Sequence, residues 1–192
     1  MRIGVFGGTF DPPHLGHLIV AADAHTALEL DRLLFIPAAL PPHKRAHVQA
    51  SALCRLEMVR AAIQGDARFE ADDLELRRAG PSYTVDTLRE LRERFGTSEI
   101  FLLVGADVLR DLHIWHRPEE IPRLARLAVL ARGGEPVASD PAFPTRFVPV
   151  TRVDISATEI RRRIAAGIPV RYLVPDAVRE IIEREGLYQQ QF

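Results

Sequence analysis

Two histidines three residues apart, His14 and His17, close the stretch Gly7-Gly8-Thr9-Phe10-Asp11-Pro12-Pro13-His14-Leu15-Gly16-His17, and these residue types suit work on a phosphate. An imidazole donates hydrogen bonds and, titrating near neutrality, can carry positive charge beside an anion whose charge grows during reaction. A spacing of three puts both rings on one face if the turn is already helical. Gly7 and Gly8 lack a Cβ, so the backbone can turn sharply and approach a ligand, and Pro12 and Pro13 stiffen the rest of the loop. Two other readings stay open: a surface pair capping a turn, or half of a zinc site, although no Cys or Glu-x-x-His pattern stands nearby to complete one. The common phosphate fingerprints G-x-x-x-x-G-K-[ST] and G-x-G-x-x-G are absent.

The elements around the histidines fit an anion site. Residues 2–6 form a short β-branched and aromatic run that stops at the two glycines, and from His17 an apolar helical stripe begins (Leu18, Ala21, Ala22, His25, Leu28). Strand, Gly-rich turn and helix start together aim free N–H groups and the positive dipole end at one spot. A second buried strand, 33–36, runs into a proline-rich loop carrying His43 and Lys44 after a strand carboxyl end, the side on which open α/β sheets bind ligands. Lys44 is the only lysine in an arginine-rich chain; it is either an ordinary loop residue or a mobile charge for a phosphate.

Further along, Ser51 is expected to cap a helix whose apolar face is Leu53, Leu56, Val59, Ala62 and Ile63, with Cys54 in the core. Residues 69–76 read as a weak strand whose acids (Glu70, Asp72, Asp73, Glu75) suit a solvated edge better than a metal site. Ser82 is expected to cap a helix running to about Phe95 and Gly96. Residues 99–104 are apolar enough for the sheet centre and break at Gly105-Ala106-Asp107. Trp115, the only tryptophan, is either a ligand-stacking ring or a half-buried lid on the core. A strand over 127–131 ends at Arg132, and 147–150 reads as an edge strand because of its proline. Ser156 and Glu159 fit an S-x-x-E capping box, with Ile160 and Ile164 as a core stripe and Gly167 as a stop. Ser156, Thr158 and Arg161 then crowd one helix start, which suits the β and γ phosphates of a nucleotide; a plain capped helix with a solvated arginine run explains them as well.

Strands alternating with helices imply an α/β fold with a central, mostly parallel sheet and helices on both faces. At 192 residues, without repeat or linker, one domain over 1–192 is expected. A net charge of −1 gives no broad field for nucleic acid or anionic membrane, so any phosphate binding must be local. No apolar run approaches the roughly 20 residues of a membrane helix, and a single cysteine accords with a reducing cytosol; a cytoplasmic protein is expected, monomeric or homo-oligomeric.

Residues 7–17 resemble the G-G-T-F-D-P-x-H-x-G-H signature of the nucleotidyltransferase superfamily, and most closely the bacterial nicotinate mononucleotide adenylyltransferases. Pro41-Pro42-His43-Lys44, Pro81-Ser82-Tyr83-Thr84, Gly105-x-Asp107, Trp115, Ile155-Ser156-Ala157-Thr158-Glu159-Ile160-Arg161 and the closing helix extend the resemblance over essentially the whole chain. It implies a Rossmann-like fold and adenylyl transfer from ATP to nicotinate mononucleotide, with Mg²⁺ held mainly by the ATP phosphates. It also implies His14, His17, Lys44 and Arg161 as catalytic residues. Gly7, Gly8, Thr9, Phe10, His14, His17, Gly105, Asp107, Arg132, Ile155, Ser156, Thr158 and Arg161 would hold ATP. Gly8, Thr9, Lys44, Ser82, Tyr83, Thr84 and Trp115 would hold the mononucleotide, whose carboxylate would meet amides at the Ser82 helix start while Trp115 stacks on the pyridine ring. The rival readings are another acceptor (phosphopantetheine, nicotinamide mononucleotide, a sugar or choline phosphate) and a non-catalytic ATP-binding sensor. A class I tRNA ligase fragment shares the His-x-Gly-His motif, but such a fragment would need a longer chain and a basic RNA face.

Overall fold

The structure, a computed structural model, describes residues 1–41, 48–131 and 140–189, and at Asp107 and Arg110 the backbone alone. Six parallel strands form one sheet: β1 (Arg2–Gly8), β2 (Arg32–Pro37), β3 (Phe69–Ala71), β4 (Glu99–Gly105), β5 (Arg126–Ala131) and β6 (Thr145–Pro149), in the order β3-β2-β1-β4-β5-β6. The chain steps outward from β1 to β3, then returns to lay β4 against the other side of β1. Strand order reverses between β1 and β4, and in open α/β sheets such a reversal is where loops leaving the strand carboxyl ends part to form a ligand crevice. β4 lies beside β1 at the sheet centre, as its apolar run implies, and β6 is an edge, as Pro149 implies.

The helices are α1 (Leu15–Leu28), α2 (Ala52–Ala62), α3 (Leu74–Arg77), α4 (Thr84–Phe95), α5 (Ala106–Asp111), α6 (Ile121–Leu124), α7 (Ala157–Ala165) and α8 (Asp176–Arg184). Successive strand residues point to opposite faces of the sheet. Leu34, Ile36, Ile100 and Leu102 pack with Leu88 and Leu91 of α4 on one face, while Leu33, Phe35, Phe101 and Leu103 pack with Val20, Ala21, Ala24 and Leu28 of α1 on the other. Both faces are covered, which is why the strands are apolar without alternation. A third cluster, including Met58, Ile160, Val178, Ile181, Ile182 and Tyr188, fastens α2, α7 and α8 together beside the sheet.

Four expectations shift. α1 begins at Leu15, two residues before His17, and buries Val20 and Ala24; Leu18, Ala22 and His25 lie only part-way in. On α2, capped by Ser51 as expected, Leu56, Val59 and Ile63 are buried as expected, but Leu53 is 73% exposed while Arg55 is 1% exposed; Cys54 is half-buried against the third cluster. Asp72 and Glu75 are buried rather than a solvated edge: Asp72 accepts from the Leu74 amide at 2.9 Å and pairs with Arg94, and Glu75 accepts from the Thr87 hydroxyl at 2.6 Å. α4 starts at Thr84 with Tyr83 as N-cap, so Ser82 is not its cap, although the helix ends at Phe95 with Gly96 beyond, as expected.

Candidate active site

The turn after β1 is built around Phe10, whose left-handed backbone (φ 50°) drops its ring into the core at 2% exposure. Gly8 makes room for that ring: a Cβ there would come within 2.9 Å of its Cζ. The Phe10 ring forms an edge contact with His17 (centroids 5.1 Å apart), and Phe6 forms a second one at 6.0 Å. His14 is the N-cap of α1 and 6% exposed; its amide donates to His17 Nδ1 at 3.2 Å, and the two rings stack with centroids 3.7 Å apart and planes at 25°. The histidines share one face, and an Nδ1 that accepts puts the proton of a neutral His17 ring on Nε2. Gly16 lies against the His14 ring, where a Cβ would meet Nδ1 at 3.0 Å. The Leu15 amide donates to Leu173 C=O at 2.9 Å, leaving Gly16 as the next N–H of that helix start.

The start of α7 reaches the same place. The Ile155 Cβ lies 3.7 Å from the point a Gly16 Cβ would occupy, and Arg161 Nη1 donates to Asp11 C=O at 2.8 Å. Residues 150 positions apart in sequence therefore meet. Arg161 Nη2 reaches the Thr158 hydroxyl at 3.4 Å; Thr158 and Ser156 are both exposed. Ser156 caps α7, its hydroxyl accepting from the Glu159 amide at 3.2 Å, but only half of the expected capping box forms. The Glu159 carboxylate turns to Arg162 and Arg163 instead, and these guanidiniums hold it down at about 2.

The loops after β2 and before α4 close the other side. The Ala38 amide donates to Gly8 C=O at 2.9 Å. Arg55 Nη1 donates to Thr9 C=O at 2.7 Å, its Nε to Ala50 C=O at 3.2 Å and its Nη2 to Ala39 C=O at 3.4 Å, so one buried guanidinium ties the turn after β1 to two points of the connection between β2 and α2. Ser82 Oγ accepts from the amides of Ala39 and Leu40 at 3.0 and 3.2 Å, near the buried Glu75 carboxyl, whose pKa burial raises against the pull of the Thr87 and Ser82 hydroxyls. The Tyr83 amide turns back onto Pro81 C=O at 3.0 Å, so the outward donors of α4 begin at Thr84. The Tyr83 ring stacks on His116 (4.3 Å, 24°), next to Trp115, which is half-buried against the core. Gly105 closes β4 as the N-cap of α5, and Gly7 is exposed, with open space where a Cβ would stand.

His43, Lys44 and Arg132 lie outside the described residues, as does the side chain of Asp107. Among the described residues no group of three or more His, Cys, Asp and Glu could hold a metal ion, and no helix is long and apolar enough to cross a membrane. The sequence did not single out Arg55, His116 or Tyr188, placed Glu75 on a solvated edge, and gave Asp11 no role of its own within the signature. Arg55 carried a faint signal, a cation within an otherwise apolar stretch of α2.

The family model described as cytidylyltransferase-like matches residues 5–163. A protein of Thermus thermophilus named "probable nicotinate-nucleotide adenylyltransferase" is 51% identical over 98% of this chain and 100% of its own. One of Shouchella clausii with the same name is 44% identical over 97% and 96%. The solved Plasmodium falciparum nicotinic acid mononucleotide adenylyltransferase complexed with NaAD superposes with a TM-score of 0.81 over 97% of each chain at 17% identity, a likeness of fold. With identity of this extent over nearly its full length, the chain belongs to the nicotinate-nucleotide adenylyltransferase family of cytidylyltransferase-like proteins.

Proposed function

We propose that the chain transfers the adenylyl group of ATP to nicotinate mononucleotide, forming nicotinate adenine dinucleotide and pyrophosphate. The observation that carries this reading is the meeting of the stacked His14–His17 pair with Arg161 across residue 11, which gathers three nitrogen-bearing side chains and a helix start in one place. A phosphate oxygen of the mononucleotide attacks the α-phosphorus of ATP; the new P–O bond forms as the bond to pyrophosphate breaks, and no protein residue is covalently modified. The protein's task is to hold two polyanions in line and stabilise charge at the α-phosphate and the leaving group.

In this reading His17 Nε2–H, His14 and the backbone from Gly7 through Thr9 and Phe10 serve the α-phosphate. Phe10 contributes its main chain, since its ring is in the core. Arg161, Ser156, Thr158 and the main chain at Ile155 serve the outer phosphates, with Lys44 and Arg132 supplying further charge, and Gly105 and Asp107 border the nucleotide across the crevice. The nicotinate carboxylate sits at the start of α4, on the amides from Thr84 onward, beside Tyr83 and Trp115. Ser82 supports this subsite rather than touching it, because its hydroxyl oxygen is committed to the Ala39 and Leu40 amides. The donors that meet here are imidazole, guanidinium and amide, and the Asp11 carboxylate is already engaged by three donors, which fits Mg²⁺ held by phosphate oxygens and water. Bound in that way, Mg²⁺ supplies charge neutralisation of the phosphates.

Pyrophosphate release from ATP and Mg²⁺ tests the assignment with nicotinate mononucleotide, nicotinamide mononucleotide and phosphopantetheine as acceptors. Strong preference for the nicotinate compound is expected. Preference for phosphopantetheine would discard the acceptor, and no release with any of them while ATP binds would favour the sensor.

A further inference from the structure

The carboxylate of Asp11 lies at 2% exposure and takes three hydrogen bonds: from the Gln49 amide at 2.8 Å, the Ala50 amide at 3.1 Å and the Tyr188 hydroxyl at 2.7 Å. The carbonyl of the same residue takes the bond from Arg161 at 2.8 Å. Residue 11 is thus held from both of its ends by the last part of the chain, through Arg161 on the main chain and Tyr188 on the side chain.

Three positions after Asp11 in sequence comes His14, and the two amides that Asp11 holds, those of Gln49 and Ala50, belong to the chain entering α2. Asp11 therefore ties the turn that carries His14 to the stretch before α2. Nothing local makes Tyr188 reach it. The chain leaves α8 through Gly186 (φ 59°), with the Leu187 amide on Ile182 C=O, and Tyr188 itself takes a left-handed backbone (φ 64°) that turns its ring inward to 6% exposure. A non-glycine residue in that region is uncommon, and here it delivers a hydroxyl across 177 positions of sequence to one carboxylate oxygen. Burial pushes the Tyr188 phenol well above its ordinary pKa, with Asp11 adding to the rise, so it remains a donor at every working pH.

We propose that Tyr188 is a positioning residue for adenylyl transfer: its hydroxyl fixes the Asp11 carboxylate, and through it the mutual placement of the His14 turn and the chain entering at Gln49. Tyr188 touches no substrate. It acts by keeping prealigned groups in register, where a displacement of an ångström is enough to cost rate. The inference rests on the adenylyl-transfer reading and on the place of His14 within it.

Tyr188→Phe removes the hydroxyl and keeps the ring, so the third cluster stays filled. Asp11→Ala removes the carboxylate that the Gln49 amide, the Ala50 amide and the Tyr188 hydroxyl share. Both variants and the double variant are assayed with ATP and nicotinate mononucleotide, alongside thermal unfolding. The expected result for Tyr188→Phe is a kcat reduced about tenfold, with both KM values within about twofold of the parent. Asp11→Ala is expected to lose kcat at least as strongly. The double variant should be no slower than Asp11→Ala alone, because a hydroxyl that acts only through the carboxylate has nothing left to act on once that carboxylate is gone. A residue serving only stability would lower the unfolding temperature of Tyr188→Phe and leave its kcat at temperatures where it is folded. That result, or losses that multiply in the double variant, would overturn the proposal. An inactive parent chain would remove the adenylyl-transfer reading and this inference together, whereas an active parent matched by Tyr188→Phe removes this inference alone.

Discussion

The amide of His14 donates to His17 Nδ1 across 3.2 Å while the two imidazoles stack 3.7 Å apart, so the helix cap and the proposed catalytic pair are the same two residues. This relationship leaves Nδ1 of His17 holding the turn and assigns Nε2 to the α-phosphate in the proposed reaction. His17→Ala is expected to lose about 10²–10³ in kcat, the range for one preorganised donor at a developing charge. Two conservative variants separate the nitrogens. His17→Gln keeps a donor near Nε2, His17→Asn keeps an acceptor near Nδ1, and steady-state kinetics should find the Gln variant faster. A loss below tenfold in folded His17→Ala would remove His17 from the catalytic role.

Gly16 owes its place to the ring beside it. A methyl group there would sit 3.0 Å from His14 Nδ1 and 3.1 Å from Cε1, with Ile155 closing the third side at 3.7 Å. The ring must give by a few tenths of an ångström, because 3.0 Å is closer than an ordinary contact, while Ile155 at 3.7 Å needs no shift. Gly16→Ala is therefore expected to lower kcat severalfold, up to about tenfold, the cost of a slightly displaced catalytic group, with far-ultraviolet circular dichroism unchanged. Activity equal to the parent would mean that the His14 ring does not need its observed position.

Arg55 connects stability to the site. Its guanidinium sits at 1% exposure and serves the carbonyls of Thr9, Ala39 and Ala50, and burial lowers its pKa while nearby Asp11 offsets part of that cost. Replacing it with an apolar residue strands three acceptors and leaves Asp11 without a compensating charge. Arg55→Leu should cost about 3–5 kcal/mol, on the scale of breaking a buried charged network, and so lower the unfolding temperature by about 10 °C in a chain of this size. Arg55→Lys should recover little, since a compact ammonium cannot span three carbonyls this far apart along the chain. Calorimetry of the two variants measures both effects.

Much of the architecture is readable from periodicity. Runs of consecutive apolar residues mark strands covered on both faces, and the short motifs at Gly7–Gly8 and Ser156–Arg161 stand at strand and helix ends where ligands gather. What stays hidden is whatever depends on partners far away in sequence. Ser82 looks like a helix cap, yet its hydroxyl is drawn off by the Ala39 and Leu40 amides of a loop 42 or more residues earlier. Leu53 looks like core on a helical wheel, but the buried position goes to Arg55 because three carbonyls converge there. Asp72 and Glu75 look like a wet edge until α4 is packed over them. Tertiary hydrogen bonding decided each of these cases against a sound local rule.

Glu75 gives the fold a dependence on pH with a definite sign. Burial raises its carboxyl pKa above the usual 4.5, against the opposing pull of the Thr87 and Ser82 hydroxyls and Arg78. The folded state therefore holds a proton that the unfolded chain has released, and stability falls as pH rises through the window from about 4.5 up to the raised folded value. Below that window the contribution is fully present. Glu75→Gln removes the titration while preserving an oxygen to accept from Thr87, so its unfolding free energy, measured by urea titration from pH 4 upward, should decline less steeply than that of the parent across the same window. Because Ser82 and Thr87 flank the first turn of α4, the same variant should alter the pH dependence of KM for nicotinate mononucleotide more than that for ATP. Parallel stability curves for parent and variant would mean that Glu75 titrates alike in the folded and unfolded chains, and that the α4 start gains nothing from the carboxyl beneath it.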